Sequence, residues 1–185
     1  MNINVRLNAK SIESAIKKIE AYQKRIDRLI PNFLTACAEK VRDLANANIS
    51  AYEYDTEIIA EITSLASWVI ETTQDGVVTL RNTSEKATYI EFGVGQIGEG
   101  THTEAQKAGY QYDINSHGAK GWGFYVGEGE SLDLRQPYYN ETYKGDKFWV
   151  WTKGEPATMF AFNALMEFRE KELYKGIWND LVKDL

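Results

Sequence analysis

The chain has 185 residues, 43% of them hydrophobic and 26% charged, a composition that excludes intrinsic disorder and predicts one packed domain. Its formal net charge of −6 disfavours a nucleic-acid-binding enzyme, because such binding depends on cations that displace phosphate counterions. The single cysteine excludes an internal disulfide, and no apolar run is long enough to cross a membrane. Residues 1–10 lack the apolar core of a signal peptide, so we expect the chain to stay in the cytoplasm where it is made.

The charge is unevenly distributed along the chain. Residues 1–50 carry nine basic and five acidic side chains, a net charge of +4. Residues 51–154 carry a net charge of −8, and residues 155–185 carry −2. The acidity is therefore concentrated in the middle of the chain, and its basic counterpart lies at the beginning.

The first 50 residues predict a short strand followed by helical structure. Residues 3–7 alternate between apolar and polar side chains, which is typical of a strand with one buried face. After Asn8 or Ser11 as a cap, apolar side chains recur every three or four positions and predict a long amphipathic helix. Pro31 interrupts this helix, either as a kink or as the first turn of a second helix that continues toward residue 48.

Between about residues 56 and 83 the pattern favours β structure. Ile58, Ala60 and Ile62 occupy every second position, as do Ala66, Trp68 and Ile70, and Asp75-Gly76 predicts a two-residue turn. The next segment, 86–95, is apolar on one side and fits either a helical turn or a strand edge that ends at Gly93.

Ten of the 14 glycines lie between residues 93 and 129, which predicts a long loop over 93–147 with one strand at GWGFYV. Loops of this length are usually functional or ordered by a partner. Residues 148–153 predict a further strand, and Gly154-Glu155-Pro156 predicts the start of a C-terminal helix.

These elements predict an α+β fold in which long N-terminal and C-terminal helices pack on one antiparallel β-sheet, with a long Gly-rich loop. We expect a single domain, 1–185. It comprises a strand plus helices (1–50), a β-hairpin and the segment that leads up to Gly93 (56–92), a long loop or β insertion (93–147), and a strand plus C-terminal helix (148–185).

Candidate chemical groups are few. His102 and His117 could form a metal site with Glu104 and Asp113, but their spacing matches no metal-binding motif, so ordinary loop chemistry is the favoured interpretation. Cys37 lies on the apolar helix stripe, where a cysteine is usually a small core residue. We therefore predict no catalytic residue, no cofactor and no bound metal.

Two further sequence patterns, one rich in glycine and one rich in aromatic residues, bear on possible binding sites. GVGQIG (93–98) spells G-x-G-x-x-G, but no alternation of strands and helices surrounds it, so a dinucleotide site is not predicted. The aromatic segment 110–151 is the basis of an alternative, a carbohydrate-binding or tail-tip module in which rings stack on sugars. The favoured interpretation is that these aromatic residues are partly core and partly subunit interface.

The segment KATYIEFGVG (86–95) resembles the motif A-x-Y-x-E-F-G-T-G of the head-to-tail joining (tail completion) proteins of long-tailed bacteriophages, related to the minor tail protein Z group. Val94 departs from the usual Thr, and the loop 93–147 is longer than the usual connection. The positions that match are Ala87, Tyr89, Glu91, Phe92, Gly93 and Gly95, with Pro156, Phe160 and Ala164 near the C-terminus.

The resemblance implies a non-enzymatic phage or prophage protein that is assembled in the bacterial host cytoplasm and located in the virion at the head–tail junction. Its implied partners are itself, as a hexameric ring, the tail tube protein, a head-completion or stopper protein, and DNA that passes through an acidic lumen without specific binding; no membrane is implied. For Glu91 two roles stay open, an interface or helix-end contact and a local cap of the turn before Gly93.

Overall fold

The computed structural model describes residues 8–52, 56–73, 75–105, 107, 109–112, 120–126, 139–144 and 147–183. The strand predicted at residues 3–7 lies outside this part of the chain. The long helix predicted next is confirmed as α1, Ala9–Ser50, and the Asn8 side chain caps it by accepting a hydrogen bond from the Ser11 amide at 2.9 Å. Pro31 lies inside α1, so the alternative of a separate second helix is wrong.

The β structure predicted for residues 56–63 is also wrong, because this segment forms helix α2, Thr56–Thr63. Ile58 and Ile62 are four residues apart and share one helical face, on which Ile62 is fully buried. The same two positions are also an even number of residues apart, so an apolar run of this length fits a strand as well as a helix. A short 3-10 turn, Leu65–Ser67, follows α2.

The hairpin predicted after this turn is confirmed. Strands β1, Trp68–Thr72, and β2, Val78–Asn82, pair antiparallel. The amide of Thr73 donates to the carbonyl of Val77 at 2.9 Å. Three residues lie between these two positions, so the connection is longer than the predicted two-residue turn. Gly76 adopts the positive φ of 83° that this connection requires.

The segment around the E-F-G sequence is helical. Helix α3, Glu85–Phe92, ends at Gly93, and the short helix α4, Gly95–Gly98, follows it. The helical alternative for residues 86–95 is therefore the correct one as far as Gly93.

Residues 93–147 contain more regular structure than the predicted loop. Strand β3, Trp122–Val126, confirms the strand expected at GWGFYV, whereas β4, Tyr139–Lys144, is not among the predicted elements. Both pair antiparallel with β5, Lys147–Thr152, in the order β3-β5-β4. Strands β1 to β5 thus form two antiparallel sheets, one of two and one of three strands, where the sequence predicts one.

The C-terminal part is helical as predicted, but it begins later and is divided. After the short strand β6, Gly154–Glu155, helix α5 runs from Phe160 to Glu170 and helix α6 from Leu173 to Val182. Pro156 therefore lies four residues before α5 and not in its first turn. Glu172 separates the two helices with a left-handed φ of 50°.

Helices from both ends of the chain contribute to the core together with α2 and α3, and α5 and α6 run antiparallel to α1. At one end the Asn48 side chain donates to the Phe160 carbonyl at 3.0 Å, and at the other the rings of Phe33 and Trp178 meet edge to face at 5.3 Å. This arrangement confirms the α+β class. The central buried cluster is Ala45, Ile49, Ile62, Ala87, Ile90, Phe160 and Ala164.

Candidate functional site

The buried side chain of Glu91 connects the end of α3 to the beginning of α5. Its Oε2 accepts a hydrogen bond from the Ala161 amide at 2.8 Å, and its Oε1 accepts one from the Phe162 amide at 3.0 Å. Amides in the first turn of a helix have no partner within that helix, and a negative charge there is favourable. Met159, at the cap position of α5, provides no side-chain cap. Glu91 therefore caps α5 from outside the helix.

His102 completes this arrangement. Its Nε2 lies 3.2 Å from Glu91 Oε1, and the amide of Glu104 donates to its Nδ1 at 3.0 Å. Since Nδ1 accepts a hydrogen bond, the ring proton is on Nε2, and a neutral imidazole donates to the Glu91 carboxylate. The imidazole is almost fully buried, with Phe92 at 4.6 Å and Phe162 at 5.5 Å between ring centroids. We use the name Glu91 cap for Glu91, His102 and the amides of Ala161 and Phe162 that donate to the Glu91 carboxylate.

The last carbonyls of α3 are satisfied by the segment that precedes α5. The Ile90 carbonyl accepts hydrogen bonds from both the amide and the hydroxyl of Thr158, each at 3.0 Å. The Glu91 carbonyl accepts one from the Met159 amide at 3.2 Å. Glu91 of α3 thus accepts from the first amides of α5, and the segment just before α5 donates to the last carbonyls of α3. These hydrogen bonds fix the end of α3 against the start of α5.

Glycines make this close approach possible. Gly93 has a φ of 79°, and a Cβ there would lie 2.7 Å from the Ala157 nitrogen and 2.8 Å from the Glu155 oxygen. At Gly95, also with a positive φ, a Cβ would lie 2.5 Å from the Lys153 oxygen. The G-x-G sequence thus serves the packing of two backbones against each other, and its α4 of four residues is too short for a dinucleotide site.

Tyr110 covers the same turn. Its hydroxyl donates to the Gly93 carbonyl at 2.7 Å, and its ring stacks on Phe92 at 4.8 Å. Burial raises the pKa of the Tyr110 hydroxyl to about 12. Sequence reasoning missed Tyr110 and Thr158 as members of this site, because no motif or fixed spacing connects them to Glu91.

An apolar groove of about 460 Å³ opens beside the Glu91 cap. It lies between α1, the β1–β2 hairpin, α3 and the first turns of α5, and Glu91 and His102 contribute to its wall. Its apolar lining includes Val41, Trp68, Leu80, Phe92, Phe162 and Leu165.

The residues predicted from the motif divide into buried and exposed positions. Ala87, Phe160 and Ala164 belong to the buried core, and Pro156 lies against Gly93. Tyr89 is 44% exposed. Two roles were considered for Glu91, and the hydrogen bonds that its side chain makes are those of a helix-end contact.

The histidine set considered for a metal is only partly described. His117 and Asp113 lie outside the described residues, and both ring nitrogens of His102 are engaged in hydrogen bonds. Among the residues that can be described, no group of three or more metal-ligating side chains occurs. Cys37 is half-buried on α1, and burial raises the pKa of its thiol.

The aromatic segment 110–151 is described in part. Tyr110 and Tyr112 contact each other edge to face at 5.1 Å and are half-buried. Trp151 on β5 is 43% exposed, with Gly123 and Asn140 as its cross-strand neighbours.

Within the described part of the chain, no helix is both long and apolar enough to cross a membrane. Comparison with known proteins gives one family. The family described as "Bacteriophage HK97-gp10, putative tail-component" matches residues 13–93, a stretch that contains α1 from its second turn onward, the hairpin and the motif from Ala87 to Gly93. Gly95, Pro156, Phe160 and Ala164 lie beyond the match. No curated protein and no solved structure matches the chain significantly.

This match confirms the resemblance that the E-F-G motif predicts, and the matching family is described as a putative bacteriophage tail component. Over residues 13–93, the chain therefore matches the HK97-gp10-like family of bacteriophage tail components.

Proposed function

We propose that this chain is a non-enzymatic structural protein that forms a hexameric ring at the head–tail junction and completes the tail for docking to the DNA-filled capsid. The structural role rests on the hydrogen bonds of the Glu91 cap, which are made within the fold. Both carboxylate oxygens of Glu91 and both ring nitrogens of His102 are occupied by partners within the fold. These groups hold two helices in place and are not available to a substrate.

The location rests on the family match together with the resemblance of the motif to joining proteins. A ring requires each subunit to present two different complementary surfaces. The basic first 50 residues and the acidic middle of the chain have opposite net charges, which suits such a contact. Tyr89, the exposed member of the motif, is our candidate for a motif residue that contacts a neighbouring subunit.

The partners on either side of the ring are, in this proposal, the tail tube protein and a head-completion or stopper protein. DNA passes through the lumen without specific binding, because the net charge of −8 over residues 51–154 repels phosphates. Replacement of exposed carboxylates in this region, such as Glu85 and Glu99, by Lys is expected to slow DNA ejection from assembled particles. Normal ejection by these variants would contradict an acidic lining.

Electron microscopy of particles that lack this chain tests the proposal directly. We expect DNA-filled heads and separate, finished tails, and we expect joined particles again when the wild-type chain is supplied from a plasmid. Joined and infectious particles without the chain would show that it does not complete the tail.

A further inference from the structure

Strand β2 has an outer edge whose backbone groups are unpaired. The Thr73 amide donates to the Val77 carbonyl, and hydrogen-bonded pairs alternate with non-hydrogen-bonded pairs along an antiparallel ladder. In the observed register, the N–H and C=O groups of Val78, Leu80 and Asn82 therefore point away from β1. Within the part of the chain that the structure describes, these backbone groups have no hydrogen-bond partner. An edge of this kind can accept a further strand.

The same edge residues line the apolar groove beside the Glu91 cap. Leu80 and Asn82 contribute to its wall, together with Phe162 and Leu165 of α5. Along β2, half-buried residues alternate with exposed ones, and Leu80 and Asn82 are among the half-buried residues. A strand added at this edge therefore needs apolar side chains at every second position, so that one of its faces fills the groove.

The first residues of the chain have this pattern. Ile3, Val5 and Leu7 occupy every second position and polar residues separate them, which predicts a five-residue strand with one apolar face. Strand β2 also has five residues. The charges agree in sign, because residues 1–10 carry two basic and no acidic side chains, whereas residues 51–154, which include β2, carry a net charge of −8.

The groove that residues 3–7 can reach belongs to a second copy of the chain. Leu7 directly precedes Asn8, the cap of α1, so residues 3–7 extend at most about 20 Å from Asn8. Val41 lines the groove and lies 33 positions after Asn8 on the same helix. At 1.5 Å per residue, this separation along α1 is about 50 Å. A chain therefore cannot fill its own groove with these residues.

We propose that residues 3–7 of one copy add as a third strand to the outer edge of β2 in a second copy, with Ile3, Val5 and Leu7 in the groove. The contact is heterologous, because each copy contributes one strand and one groove, so it can repeat around a closed ring. The inference rests on the self-association that the proposed function includes and names the surfaces that make it.

The exposed face of the enlarged sheet favours an antiparallel orientation. With Val5 beside Leu80, an antiparallel strand places Arg6 beside Thr79, whereas a parallel strand places Arg6 beside Arg81. Like charges on neighbouring strands are destabilising. The added strand is therefore antiparallel to β2.

Sedimentation of the purified full-length chain over a range of concentrations tests the contact. We expect concentration-dependent association, and we expect Val5→Asp to raise Kd about tenfold or more, because it places a charge in the apolar groove. Asn4→Asp introduces the same residue on the exposed face of the added strand and is the matched control, which should associate at least as tightly as the wild type. Equal association of the two variants, or a chain that stays monomeric at every concentration, would overturn the inference.

A mixture of two variants tests whether the contact is heterologous. Leu165→Lys changes the groove at a position that is 45% exposed, so the variant should fold, which circular dichroism verifies, and it should associate as weakly as Val5→Asp. Mixed together, the two variants should form dimers, because one retains an intact groove and the other an intact strand. A mixture that stays monomeric would show that these two surfaces do not meet.

Cross-linking tests the orientation in a Cys37→Ser background. Asn4→Cys with Arg81→Cys should give disulfide-linked oligomers on oxidation, whereas Asn4→Cys with Thr79→Cys should give few. The opposite result would overturn the antiparallel orientation. These measurements are independent of the microscopy above, since a monomeric chain whose absence still leaves separate heads and tails would sink the contact and leave the proposed function standing.

Discussion

Glu91 illustrates how one side chain can hold together segments that are 70 residues apart in the chain. Its carboxylate accepts from two amides of α5 and lies in hydrogen-bond range of His102. We expect Glu91→Gln to lower the free energy of unfolding by about 1–3 kcal/mol, because the amide NH₂ cannot accept a hydrogen bond and the negative charge at the helix N-terminus is lost. Urea unfolding followed by circular dichroism measures this difference.

Glu99→Gln is the control for this variant. It removes the same charge at an exposed position eight residues away in the sequence, so its effect should stay within about 0.5 kcal/mol. Equal stability of the Glu91 and Glu99 variants would mean that the cap contributes nothing measurable.

Tyr110 gives the fold a dependence on alkaline pH. Its pKa is raised to about 12 in the folded protein, against about 10 in an unfolded chain. Between these values the folded state keeps a proton that the unfolded state releases, so stability falls as the pH rises from 10 towards 12. Tyr110→Phe removes this titration together with the hydrogen bond to Gly93, which should cost about 1 kcal/mol at neutral pH.

The measurement is the free energy of unfolding of the wild type and of Tyr110→Phe at several pH values. The advantage of the wild type should shrink steadily across the window from pH 10 to 12. An advantage that stays constant across this window would show that the Tyr110 hydroxyl titrates normally in the folded protein.

At the scale of elements, the contact between the end of α3 and the segment before α5 depends on Gly93. Gly93→Ala should destabilise the fold by more than about 2 kcal/mol, because the new Cβ would meet backbone atoms at 2.7–2.9 Å that cannot move independently. Gly100 has a similar φ of 77°, but a Cβ there would have no other atom within 4 Å. Gly100→Ala therefore measures the conformational cost without the collision, about 1 kcal/mol.

Thermal unfolding of the two alanine variants separates these contributions. Gly93→Ala should melt well below Gly100→Ala. Similar melting temperatures would indicate that segment 155–157 moves away without cost.

Elements with long or sharply bounded patterns are predictable from the sequence. The stripe of apolar residues along α1 spans many turns, and the hairpin is marked by Gly76 between two β-rich runs, so both elements follow from their patterns. Helix α2 has eight residues, too few for its period to exclude a strand. The Glu91 cap is not predictable beyond a helix-end contact in general, because nothing near Ala161 or Phe162 in the sequence marks them as its partners.

At the scale of the whole molecule, the family match and the structural unit do not coincide. The match ends at Gly93, yet the core cluster includes Phe160 and Ala164, which lie on α5. Phe160 is 2% exposed, and burial of a phenylalanine of this kind contributes about 1.5–3 kcal/mol. The matched stretch alone would expose Ile49 and Ile90 and would leave the Glu91 carboxylate without the amides of α5.

We therefore expect a fragment of residues 1–93 to lack a cooperative unfolding transition, although α1 should keep part of its helical signal. Adding a peptide of residues 154–185 should restore cooperativity, because it supplies Phe160, Ala164 and the amides that Glu91 binds. Circular dichroism and amide hydrogen exchange measure both results. Cooperative unfolding of the isolated fragment, with strong protection of the α3 amides, would mean that the first half of the chain folds without the C-terminal helices and that the Glu91 cap forms only after it.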